Sequence, residues 1–506
     1  MSPGLLILTI SIYFLMLVIV SWITGRNASS YSFFLGNRQS PWYIVAIGMI
    51  GASISGVTFI SIPGEVGASN FSYLQIVLGY LLGYFVIANV LMPLYYRLNL
   101  ASIYVYLKQR FGMTSYRTGA FFFLVSRVIG SSFRLYLVAM VLDKFVFSNW
   151  GVPFWSTVAI TIIFIWIYSF RGGVKTIIWT DTLQTFFFLT AVIFTIWYIA
   201  KQLNFSFGDL LESIESSRYS QIFVWDWKLR NNFFKHFISG AFIAIVMTGL
   251  DQDMMQKNLS CRNIREAKKN MYWMSTSLVF VNLLFLSLGA LLYIFAHSEN
   301  LIVENFSNPD ASCRIGLLNE MTSLYDCHPT DQLFPFLALT HLPVIVGIVF
   351  ILGLVAAAYS SADSALTALT TSFCVDFLGF SENDSRIKLR YIVHIGFSLL
   401  LFVVIILFKL INNDSVINSV FTMAGYTYGP LLGFYTFGLF TRRKVRDRWV
   451  PLIAVLSPAI CYVISSHSQQ WFGGYTFGFE LLILNGALTF LGMTFLQRQN
   501  KSESLK

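Results

Sequence analysis

The chain has 506 residues, of which 56% are hydrophobic, 17% aromatic and only 11% charged. Soluble domains carry about 25% charged residues, so composition excludes a soluble enzyme or binding module and leaves a multi-pass membrane protein. The formal net charge of +10 is a topological signal rather than a nucleic-acid one, because the basic residues gather on alternate loops.

A membrane span needs about 20 apolar residues. Thirteen stretches qualify: 4–23, 42–63, 73–95, 119–142, 153–170, 178–200, 232–250, 272–296, 343–375, 388–411, 416–440, 449–466 and 478–496. The first follows Met1-Ser2-Pro3-Gly4, with no basic leader and no small-residue cleavage site, so it reads as a retained helix with its N-terminus outside. The second contains Gly48, Gly51, Ser53, Ser55, Gly56 and Pro63. Such a segment tolerates unwinding, which frees backbone groups for a cation and a substrate; close packing of a small-residue helix is the alternative. In the fourth, Arg127 and Arg134 are seven residues apart and share a helical face. An arginine at this depth suits a carboxylate ligand, or else pairs with an internal acid such as Asp251 or Asp363.

The ninth stretch is the most informative. From Val355 to Thr367, Ala357, Ser360, Ser361 and Ser364 fall at i, i+3, i+4 and i+7, flanked by Asp363 and Thr367. Hydroxyls beside a carboxylate inside a bilayer are costly without a partner, and hard oxygen ligands suit an alkali cation. The bland reading has these hydroxyls bonding back to their own helix or joining helices.

With the N-terminus outside, the loops that become cytoplasmic carry 24 of the 34 lysines and arginines, Arg171, Lys175, Lys257 and Arg262 among them. That is the bias of the positive-inside rule. Cys313 and Cys327 share an outer loop and either form a disulfide or remain thiols. The six histidines show no ligand spacing, so a membrane-embedded enzyme is not expected. A ten-residue tail argues against an appended sensor domain, and an uncoupled channel is the remaining competitor. Three regions result: an extra helix and inner loop over 1–41, a ten-helix core over 42–440, and two helices with a short tail over 441–506. Within the core, spans two to six and seven to eleven make two five-helix units, which insert with opposite topology.

Five segments together resemble the sodium/solute symporter family. Besides the Gly/Ser-rich second span and the serine-rich ninth, these are Met92–Leu98 with Tyr104–Gly112, then Gly172–Gln184, and Gly249-Leu250-Asp251-Gln252-Asp253-Met254-Met255-Gln256-Lys257. The resemblance covers residues 1 to about 445. It implies an all-α LeuT-type fold, a 5+5 inverted repeat within about thirteen helices, and sodium as the coupling ion. It implies a first sodium on the carbonyls of Gly51, Ile54 and Ala357 and the hydroxyls of Ser360 and Ser361. Asp181, Ser360, Asp363 and Ser364 would form a second. Asp363 departs from the expected hydroxyl or apolar residue, so that position either strengthens a cation site or takes a proton. Asp181 has a structural alternative, a salt bridge to Arg171 or Lys175.

Ser53, Ser55, Thr58 and Gln75 stand where members of the family line the substrate pocket. Asp251 either lies near the substrate or caps a helix. Members that carry sialic acid use an arginine from the helix of Arg127 and Arg134. The expected activity is sodium-coupled import of a small organic solute, an anionic organic or sugar acid, by alternating access; proton coupling on the same fold is the alternative. The expected setting is a monomer in the lipid bilayer, in a bacterial inner membrane with the C-terminus cytoplasmic.

Overall fold

The computed structural model describes residues 3–25, 36–98, 100, 102–147, 150–169, 173–304, 315–319, 324–381, 386–411 and 416–497. Lipid offers the backbone no hydrogen bonds, so a chain this apolar satisfies itself by helix formation. Helix α1 (Pro3–Gly25) precedes a broken pair, α2 (Trp42–Ser53) and α3 (Gly56–Ser69). At the break Ile54 (φ −90°, ψ 93°) and Ser55 (φ −88°, ψ 178°) are extended. After a turn at Asn70 come α4 (Tyr73–Val86) and, through a π turn, α5 (Met92–Arg97). There follow α6 (Val105–Arg110), α7 (Met113–Leu142), α8 (Phe154–Ser169), α9 (Gly173–Gln202) and a short surface helix α10 (Phe207–Glu215).

A second broken helix comes next. The segment α11 (Phe233–Ala244) runs on to Gly249 as a π turn and then bends by 65° into α12 (Gln252–Leu259). Only the first break is expected from the glycines and serines of span two. The two breaks fall at the first helix of each five-helix unit, as an inverted repeat requires. Helix α13 (Ile264–Ser298) leads to a small antiparallel sheet within the stretch read as an outer loop, with strands β1 (Ile302–Glu304), β2 (Ile315–Asn319) and β3 (Leu324–His328) in that order. The chain closes with α14 (Leu333–Phe336), α15 (Val344–Ser372), α16 (Ile387–Ile411), α17 (Val416–Phe440), α18 (Val450–Ser466), α19 (Ser468–Trp471) and α20 (Leu481–Phe495).

Each of the thirteen predicted stretches falls on a helix or a broken pair. By length and apolar composition, eight of the described helices suffice to cross a bilayer, nine if α11 and α12 count as one span. The run Gly56–Arg97 is counted once there, although it holds parts of two predicted stretches. The helices Trp42–Ser53, Phe154–Ser169 and Leu481–Phe495 are apolar but shorter.

Close approach depends on small residues. A Cβ on Gly79 or Gly83 of α4 would run into the carbonyls of Phe237 or Ala241 on α11. Large apolar side chains are exposed on the outside of the bundle, Leu8, Ile12 and Leu15 on α1 and Leu399, Val403 and Leu410 on α16 among them. In β3, Cys327 is disulfide-bonded, whereas Cys313 lies outside the described residues. Cys261, Cys374 and Cys461 are free and buried.

Candidate ion and substrate sites

Three elements converge beside Asp181. Helix α9 packs on both α15 and α2, and α2 also touches α15. Gly48 and Gly51 allow the approach: a Cβ on Gly48 would lie 3.2 Å from the Cβ of Asp181, and one on Gly51 3.1 Å from the Asp181 carbonyl. Because α2 stops at Ser53, its last carbonyls have few partners within the helix. At the other side of the break a Cβ on Gly56 would lie 3.7 Å from the Cβ of Ala358 on α15, beside Ala357, Ser360 and Ser361, all at most 1% exposed. Ser360 Oγ donates to Asp181 Oδ1 at 2.7 Å, and Ser364 Oγ to Oδ2 at 3.4 Å. Ser361 Oγ donates to the Ala358 carbonyl at 3.0 Å, the back-bonded geometry of the bland reading.

Asp181 is not bridged to the basic residues at the start of its own helix. Its partner is Lys257, whose Nζ stands 2.6 Å from Oδ2. Lys175 makes no such pair, and Arg171 lies outside the described residues. Lys257, read as an inner-loop charge, is a buried residue of α12. Asp363 is fully buried and directs Oδ1 to the Ser364 amide at 2.6 Å, while its Oδ2 accepts no hydrogen bond. Facing it are Tyr168 of α8 and, through Tyr168, Gln184 of α9 and Tyr13 of α1.

The two arginines of α7 differ in what they meet. Arg127 Nη2 pairs with Asp253 Oδ2, and Nη1 lies 3.6 Å from Asp251 Oδ2. Arg134 makes no hydrogen bond or ion pair among the described residues. Both line a cavity of about 90 Å³ with Ser53, Ser55, Thr58, Tyr73, Tyr80, Tyr84, Thr248, Asn282 and Phe421. Tyr73, Ile417 and Phe421 separate it from a wider vestibule of about 820 Å³, rimmed by Lys228, Arg230 and the chain at 476–479. Every residue of α12 is buried, and its Met254 lines the cavity.

Gln75 lies outside the cavity, and of its two readings Asp251 takes the capping one. Gln75 donates through Nε2 to the carbonyls of Ser72 (3.1 Å) and Asn231 (2.9 Å) and accepts at Oε1 from the Val224 amide at 3.2 Å. It staples the loop over 221–232 to α4. Asp251 is the cap of α12, its Oδ1 accepting from the amides of Asp253 (2.9 Å) and Met254 (3.4 Å) and its Oδ2 from Tyr428 Oη (2.5 Å). Sequence reasoning missed Lys257, Asp253, Tyr428 and Asn282. An available signal was the i, i+4 spacing of Asp253 and Lys257, whose charged atoms lie 3.9 Å apart.

Two broken helices, a buried cluster of hydroxyls and carboxylates beside one break and a cavity next to a wider vestibule are the features of a secondary transporter of the LeuT type. The sequence model of the sodium:solute symporter family matches residues 33–447, and the chain belongs to that family. Sodium is its coupling ion. The chain is 24% identical over 488 residues to the sodium/sialic acid symporter NanT of Aliivibrio fischeri, covering 92% of this chain and 89% of that protein. It is 24% identical over 429 residues to the human sodium/iodide cotransporter and 23% over 422 to the mouse sodium-coupled monocarboxylate transporter 2. Each alignment takes 82% of this chain but only 62% and 64% of the relative. In structure it resembles a sodium-coupled sialic acid symporter in a substrate-bound outward-open state, with TM-score 0.77, 18% identity and coverage of 98% and 99%. A nucleobase-cation-symport-1 family transporter in a closed conformation matches with TM-score 0.53 and 13% identity, over 92% and 94% of the two chains.

Proposed function

We propose that this protein uses the sodium gradient to take up a small organic or sugar acid, and that Arg134 receives the carboxylate. The observation that carries this reading is the free guanidinium of Arg134 in a pocket whose other arginine is already paired. A planar, permanently charged donor fork matches a carboxylate in two parallel hydrogen bonds. Ser53, Ser55 and Thr58, from the break of the α2–α3 pair, supply hydroxyls to the same cavity.

The first sodium binds where the break meets α15, on the carbonyls of Gly51, Ile54 and Ala357 and the hydroxyls of Ser360 and Ser361. A second binds at Asp181, Ser360, Asp363 and Ser364. Both sites share Ser360, so filling one favours the geometry of the other. Each inward sodium contributes about 2.3 kcal/mol per 100 mV, and greater affinity for the outward-open state converts this into uptake. The protein works as a monomer in a bacterial inner membrane, N-terminus outside, with the vestibule facing outward. Relatives that carry sialic acid, monocarboxylates or iodide agree with an anionic cargo.

Thermal stability of the purified protein tests this, with sialic acid, a monocarboxylate and a neutral hexose each offered in NaCl and in KCl at equal ionic strength. A ligand that binds only the folded state raises stability by mass action. An acid should stabilise in sodium and not in potassium. Stabilisation by the hexose alone would overturn the anionic assignment.

A further inference from the structure

We infer that Lys257 is a tethered competitor of the second sodium, and that its displacement passes the arrival of sodium to the substrate pocket. The inference rests on the second sodium site proposed above. Lys257 Nζ lies 2.6 Å from Oδ2 of Asp181, while Ser360 and Ser364 donate to the same carboxylate. These are the oxygens a sodium there would take. Two cations cannot share so small a site in a medium of low dielectric, so the ammonium and the ion exclude each other.

The ammonium has somewhere to go. Asp253 Oδ1 lies 3.9 Å from Nζ, one turn away on the same helix. The other oxygen of Asp253 is held by Arg127. Moving Lys257 onto Asp253 neutralises that carboxylate and loosens Arg127, whose remaining contact is Asp251 at 3.6 Å. Asp251 is itself engaged by Tyr428 and the amides at the start of α12. Arg127 already lines the pocket. Freed from Asp253, it becomes a second guanidinium, beside Arg134, for an anionic substrate. By linkage the substrate, in drawing Arg127 away, leaves Asp253 open to Lys257 and so favours sodium at Asp181.

The surplus carboxylate gives sodium its foothold. Among the described residues the cations around Asp363, Asp181, Asp251 and Asp253 are Lys257, Arg127 and Arg134, and Asp363 Oδ2 accepts no hydrogen bond, with the Tyr168 hydroxyl facing that carboxylate. An arriving ion therefore meets an Asp363 oxygen that no cation holds before Lys257 has left Asp181.

The test is the sodium concentration that half-saturates thermal stabilisation of the full-length purified protein, with KCl as the control salt and no substrate. In Lys257→Gln the competitor is gone, and half-saturation should fall by about fivefold or more, the lower end of typical coupling between sites. An unchanged or higher value in a folded Lys257→Gln protein overturns the inference, because a merely structural lysine would weaken the site on removal. Should that variant not fold, Asp253→Asn decides the matter. Without its alternative perch Lys257 stays on Asp181 and half-saturation should rise, while an unmoved value overturns the inference. A wild-type protein that ignores sodium overturns the sodium sites themselves. That outcome is distinct from a responsive wild type with unshifted variants, which overturns only the competition.

Discussion

Replacing each α7 arginine by methionine separates recognition from architecture. In Arg134→Met no internal ion pair is broken, because Arg134 has none among the described residues, and the apolar stem of methionine still covers the cavity wall. What is lost is the charged half of a desolvated pair with the substrate. Truncating one partner of such a pair costs about 2–5 kcal/mol, which at about 1.4 kcal/mol per tenfold is a loss of roughly 30-fold to a few thousand-fold in affinity. Arg127→Met instead leaves Asp253 and Asp251 buried with one cation fewer. Breaking a buried pair in this way costs about 3–5 kcal/mol of stability. Two readouts suffice: sodium-driven uptake of the acid found by the stability screen, in proteoliposomes, and the melting temperature of each variant. The expected pattern is a normally folded Arg134→Met with uptake at background and an Arg127→Met that melts early. A folded Arg134→Met with wild-type uptake would refute the assignment of Arg134 to the carboxylate.

Ser361→Ala removes a hydroxyl that bonds only to its own helix. Stability should change by about 1 kcal/mol or less, while the sodium needed for half-maximal stabilisation rises; unaltered sodium dependence would remove Ser361 from the first site. Asp181→Asn should abolish the second sodium and lower the Hill coefficient for sodium in transport towards one, with the fold kept because Asp253 can take Lys257. Gly51→Ala places a Cβ against Thr185 and the Asp181 carbonyl, an overpacking that costs about 1–3 kcal/mol and should weaken sodium binding by pushing α2 off α9. Gln75→Ala leaves the Val224 amide unpaired, at a cost of about 1–3 kcal/mol. Limited proteolysis should then cut the loop over 221–232 faster, with substrate affinity unchanged; a large affinity loss would return Gln75 to the pocket.

The parts of the site legible in the sequence are those whose partners share a helix. The i, i+3, i+4 rhythm of Ala357, Ser360 and Ser361 sets one face whatever surrounds it, and the Gly/Ser run of span two announces its own break. The second break left a fainter mark in Gly249-Leu250-Asp251, a glycine followed by a carboxylate that caps α12. What the sequence left open depends on distant contacts. Arg127 and Arg134 share a face and both line the cavity, yet they sit two turns apart, so Arg127 alone meets Asp253. Lys257 reads as one more inner-loop cation beside Arg262 and Arg265 until the 65° bend of the α11–α12 pair turns it onto Asp181. Gln75 belongs to a loop about 150 residues further along, and no local pattern connects the two. The sheet in the loop over 297–335 was hidden for a similar reason, since its three short strands pair with one another across the loop.

The most direct test of the whole account is uptake of a labelled organic or sugar acid into proteoliposomes under an inward sodium gradient, with an equal potassium gradient as the control. Concentrative uptake that requires sodium, collapses when a sodium ionophore dissipates the gradient, and is absent in Arg134→Met is the predicted result. Accumulation that proceeds equally in potassium, or equilibration without concentration, would contradict sodium-coupled transport by these sites.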